Sequence, residues 1–95
     1  MPFPIEEHEE YWVVNVLGRE ITCYTTEEAE ALAAMDTLPD TIMANNWQYD
    51  KDVCNKVRVI NKILLDDEAL LEHLCFRRIK IAYKHMTDGK EESKT

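Results

Sequence analysis

The side chains here best suited to metal binding or nucleophilic attack are three histidines, His8, His73 and His85, and three cysteines, Cys23, Cys54 and Cys75. His73 and Cys75 are two positions apart on a predicted helix, so they point about 200° away from each other and cannot share an ion. The chain has no C-x-x-C or H-x-x-x-H pair, so a zinc site would need ligands from distant segments. Its one serine, Ser93, lies in a charged C-terminal stretch, which argues against a serine nucleophile. Two glycines in total cannot build a phosphate-cradling loop. Cys54 and Cys75 fall on apolar helix faces, and Cys23 alternates with polar neighbours in a predicted strand, so all three read as small core residues. The expectation is a non-enzymatic protein with no metal and no cofactor.

Charge is distributed with more contrast than chemistry. Residues 1–50 hold eleven Asp/Glu and a single Lys/Arg, Arg19, whereas residues 51–95 hold eight acids and ten bases. The two halves are therefore about −10 and +2, and they attract different partners. Glu6, Glu7, Glu9 and Glu10 together with Glu27, Glu28 and Glu30 form a candidate negative face for a basic protein, and Trp12, Trp47 and Tyr49 are candidate aromatic anchors beside it. The one local feature suited to an anion is the run Arg77 to His85, in which Arg77, Arg78, Lys80 and Lys84 accompany Tyr83. Its plainer explanation is a helix whose terminal cations complement the macrodipole and pair with the acids of the first half.

The elements that position these residues are local in origin. Pro2 and Pro4 give an extended lead over residues 1–10. Tyr11 to Val16 and Arg19 to Tyr24 are β-branched and aromatic runs flanking Leu17-Gly18, a β-hairpin signal in which Gly18 supplies a positive φ. Thr25-Thr26-Glu27-Glu28 is a capping box that opens a helix with Ala29, Leu32 and Ala33 on one face, extending to Asp36. Pro39 ends it or begins a short element, Asp40 to Trp47, whose Ile42, Met43 and Trp47 share an apolar face. From Val53 onward, Val57, Ile60, Leu64, Leu71, Leu74 and Ile81 follow a heptad rhythm. Either Asp66-Asp67-Glu68 breaks this stretch into an αα-hairpin, or it runs on as one coiled-coil helix of about 35 residues. The break is favoured, because the acids are good N-caps and an unpaired acid at the seam position Asp67 would be costly.

The predicted fold is α+β: a two-stranded antiparallel hairpin followed by three to four helices, the last two as an αα-hairpin, forming one domain over residues 1–86. A flexible charged tail follows over residues 87–95. One domain is all that 95 residues support, since such a chain buries only about 60–65% of its unfolded surface. An odd cysteine count favours a reducing compartment, and no apolar run approaches the roughly 18 residues of a membrane span, so a cytoplasmic protein is expected. An isolated hairpin leaves both edges open, which predicts a homodimer through the hairpin edge or the heptad face. Together these features point to a small acidic regulator or inhibitor that docks a larger basic protein through its N-terminal half. The alternatives are a dimeric nucleic-acid-binding regulator using Arg77, Arg78, Lys80 and Lys84, and a structural subunit of a larger assembly.

Overall fold

A computed structural model describes residues 2–44, 46–64 and 67–92, with side chains through residue 87. The chain is α+β. Strands β1 (Ile5–Glu7), β2 (Trp12–Val16) and β3 (Arg19–Cys23) form one antiparallel sheet in the order β1-β2-β3, followed by helices α1 (Thr26–Ala33), α2 (Leu38–Met43), α3 (Lys51–Ile63) and α4 (Leu74–Glu92).

The hairpin lies where its residues predict it, with Val16 opposite Arg19 and Trp12 opposite Cys23 across a two-residue loop. Both loop residues have positive φ, Leu17 at 54° and Gly18 at 86°, the signature of a type I′ turn whose twist suits the flanking strands. Asn15 steadies the loop by accepting from the Gly18 N–H at 3.1 Å through Oδ1. The lead, however, is not merely extended. Ile5–Glu7 pairs with β2, placing Ile5 opposite Val14 and Glu7 opposite Trp12, so the sheet has three strands and not two. All three side chains of β1 are exposed, which erases the alternation by which a strand is recognised. Backbone bonds secure it at the proline end: the Asn15 N–H donates to Pro4 O at 3.1 Å and the Phe3 N–H to Ala33 O at 2.9 Å.

Val14, Val16 and Cys23 on one face of the sheet bury against α1, whose Ala29, Ala31, Leu32 and Ala33 are all buried. Small side chains let the helix approach the strands closely. The capping box forms, with Thr25 Oγ1 accepting from the Glu28 N–H at 3.1 Å; Glu28 Oε1 in turn accepts from the Tyr24 N–H at 3.2 Å. Beyond Ala33 the chain tightens into a 3-10 turn, Ala34–Asp36, so the inward position falls on Met35 while Asp36 is exposed. α2 then begins at Leu38 with Pro39 in its first turn, ahead of the Asp40 start the sequence favours.

α3 starts on an Asp50 cap, whose Oδ1 accepts from the Asp52 and Val53 N–H groups at 3.0 and 3.3 Å. Its heptad residues Val53, Val57, Ile60 and Leu64 are buried. The break before α4 is present and Asp67 explains it. One oxygen of Asp67 accepts from the Leu70 N–H at 3.4 Å at the head of the 3-10 turn Glu68–Glu72, and the other meets Arg19 at 3.0 Å. The acid that would be costly in a seam is thus a cap and half of an ion pair with the lone base of the first half. α4 begins only at Leu74 and runs to Glu92, beyond the Met86 end that the sequence predicts; residues 93–95 lie outside the described residues. It buries Phe76, Ile79 and Ala82 against α3 and α2, which leaves the heptad residues Leu74 and Ile81 on the outside. The hydrophobic stripe therefore changes register at the break.

Candidate functional site

Three surfaces emerge. The first is acidic. The pairings Glu7 opposite Trp12 and Trp12 opposite Cys23 put the β1–β2 connection and the start of α1 at the same end of the sheet. Glu7, Glu9 and Glu10 are exposed there, with the first turn of α1 carrying Glu27 and Glu28. Some of these acids have internal duties: Glu28 completes the cap, Glu27 accepts from Asn55 Nδ2 at 2.8 Å, and Glu6 lies 3.1 Å from His8 Nε2. His8 in turn stacks on Tyr11 with ring centroids 4.4 Å apart. Arg19, the one base of this half, stands at the opposite, turn end of the hairpin and is held by Asp67.

The second surface is an apolar cleft. Left-handed Asn46 reverses the chain after α2 and leads into a 3-10 turn, Trp47–Tyr49. The buried Cys54 thiol donates to Gln48 O at 3.5 Å and Trp47 O at 3.8 Å, pinning that turn against α3. Trp47 is thereby held half-buried beside Ile42 and Met43, and α4 packs across from them, closing a cleft of about 370 Å³. Ile81, Ala82, Arg78 and His85 form its α4 side. Met43 and Ile81 are 65% and 69% exposed, so the cleft is open-walled. The Arg78 guanidinium lies 2.8 Å from Met43 Sδ, a weak acceptor that leaves its other donors uncommitted among the described residues.

The third surface, on the outer side of α4, is cationic. Arg77 and Lys84 are exposed, Lys80 sits 5.6 Å from the Phe76 ring centroid, and Arg77 also donates to Glu72 O at 3.3 Å. Among the described residues, none of Arg77, Arg78, Lys80 and Lys84 joins an ion pair, whereas Arg19 pairs with Asp67 and Lys56 with Asp52.

The aromatic residues are dispersed. Trp12 is half-buried on the core face of the sheet next to a fully buried Val14, Trp47 lines the cleft, and Tyr49 is 85% exposed. Sequence reasoning united Ile42, Met43 and Trp47 on one face but assigned Ile81 to a seam and placed His85 in the basic run, apart from that face. The usable signal was Phe76, Ile79, Ala82, Tyr83 and Met86, a broader stripe than Leu74 and Ile81 and hence the stronger claimant to the core.

The chemistry-bearing residues are kept apart. Cys23 is 1% exposed, and its thiol is pushed from 9.0 up to about 11 by burial and then by the charge of Glu28, the opposite of the shift that makes a reactive thiolate. Half-buried Cys75 is likewise raised, first by burial. Among the described residues no group of three or more His, Cys, Asp or Glu side chains could hold a metal ion, and no helix is long and apolar enough to cross a membrane. No protein-family model, curated protein or solved structure matches the chain.

Proposed function

We propose that the protein is a non-catalytic binding module, a regulator or inhibitor that docks a basic protein through the acidic end of its sheet. The observation that carries this reading is topological: strand pairing gathers Glu7, Glu9 and Glu10 with the start of α1 at one end, while the compensating Arg19 is sent to the other. A concentrated field of one sign raises the encounter rate with a cationic partner and makes it depend on salt. The nucleic-acid alternative draws on Arg77, Lys80 and Lys84, but Leu74 and Ile81 interrupt that face with exposed apolar surface that a phosphate backbone would not cover.

The test uses Glu7→Lys, Glu9→Lys and Glu10→Lys together. Glu27 and Glu28 are spared because they hold Asn55 and the α1 cap. Tagged wild-type and variant proteins are used for capture from the native host with nuclease present, and the recovered partner's association rate is then measured against salt. The reading expects a protein retained by the wild type, lost or slowed at least about tenfold in the variant, and sensitive to salt. A partner bound equally by both proteins refutes it.

A further inference from the structure

We infer that the cleft between α2, the Trp47 turn and α4 is a docking groove for an acidic amphipathic helical segment of a partner protein. This inference is independent of the acidic end of the sheet. Leu74, Arg78, Ile81 and His85 follow one another on α4 at spacings of four, three and four residues, so they form a stripe along the helix, and Met43 of α2 borders it. Apolar Leu74 and Ile81 alternate on that stripe with the Arg78 guanidinium and the His85 imidazole. The floor supplied by Trp47, Ile42 and Ala82 is apolar, and Arg77, Arg78 and Lys84 have no ion-pair partner among the described residues. An occupant that satisfies both halves of this pattern carries apolar side chains at i, i+3 or i+4, and i+7, flanked by Asp or Glu.

Other occupants fit less well. A small molecule is usually 70–90% buried in its site, whereas two side chains of this rim, Met43 and Ile81, are 65% and 69% exposed. A two-fold pairing of this face with a second copy would set Arg77, Arg78 and Lys84 against their own images, a like-charge arrangement that opposes assembly. Nucleic acid would leave Trp47 and Ile81 unsatisfied.

The experiment selects random 15-residue displayed peptides on the full-length tagged protein at low salt and titrates synthetic versions of the enriched sequences. We expect enriched peptides to be acidic with helical apolar spacing. Their affinity should fall at least about tenfold in Ile81→Asp and in Arg78→Glu, with circular dichroism unchanged, since Ile81 is an exposed helix position. The triple Glu7, Glu9 and Glu10 variant should bind them as the wild type does, which separates this inference from the function proposed above. It is overturned if no peptide is enriched, if the enriched peptides are basic or lack the spacing, or if they bind Ile81→Asp undiminished. It is also overturned if the wild type sediments as a dimer that Ile81→Asp dissociates, because a second copy then occupies the groove.

Discussion

Replacing Asn61 by leucine should stabilise this protein, a direction uncommon among core substitutions. Asn61 lies on α3 and is 2% exposed, one helical turn from buried Val57 and Leu64. Its Nδ2 donates back to Val57 O at 2.8 Å, but its Oδ1 accepts nothing among the described residues. An orphaned buried acceptor costs about 1–3 kcal/mol, and a neutral hydrogen bond returns about 0.5–1.5 kcal/mol. Leucine has the same branching and removes both the orphan and the bond, while its slightly larger methyl groups take back part of the gain. The balance is a stabilisation of about 1 kcal/mol, or about 4–8 °C in Tm for a domain of this size. Asn61→Asp, which places a carboxylate in the same position, should instead lose at least about 2 kcal/mol. Thermal and urea unfolding followed by circular dichroism measure both. If Asn61→Leu proves less stable than the wild type by more than about 1 kcal/mol, the oxygen has a partner in solution and the reasoning is refuted.

Asp67 performs two tasks that substitutions can separate. Asp67→Asn keeps an acceptor for Leu70 and weakens only the contact with half-exposed Arg19, so it should cost under about 1 kcal/mol, whereas Asp67→Ala loses both and should cost about 1–2 kcal/mol; equal losses in urea unfolding would show that the cap contributes nothing. Cys23 sets a pH dependence. Because its folded pKa is raised, its contribution is fully present below pH 9 and is lost as pH rises toward about 11, at no more than about 1.4 kcal/mol per pH unit. Wild type should therefore lose more stability than Cys23→Ala between pH 8 and 10.5, and parallel curves would dismiss the thiol as the cause.

What was legible in the sequence was encoded within a few residues. Thr25 and Glu28 fix the start of α1, Leu17-Gly18 fixes the hairpin, and Asp67 fixes the break, each through contacts no more than four positions away. β1 escaped because it contributes backbone and no buried side chain, and a hydrophobic pattern cannot report a strand whose three residues all face water. The groove was half legible. Ile42, Met43 and Trp47 read as one face, but α4 carries two competing apolar periodicities, one through Phe76 and Ile79 and one through Leu74 and Ile81. Which of them turns inward is decided by packing against α3 and α2, information that lies outside the helix itself.

The turn at Leu17 has a consequence for the order of folding. A leucine at positive φ lacks glycine's freedom and costs about 1–2 kcal/mol relative to an ordinary backbone region, so the unfolded chain seldom visits this turn. The Asn15–Gly18 contact and the matching twist of the turn act against that cost, so closure of β2 on β3 gains little from the loop alone. The hairpin gains its stability from Val14, Val16 and Cys23 burying against α1, a helix whose cap is complete within four residues. The expected order is therefore capped helices first and sheet last, so native-state amide exchange should be faster in β2 and β3 than in α3, and equal protection would refute it.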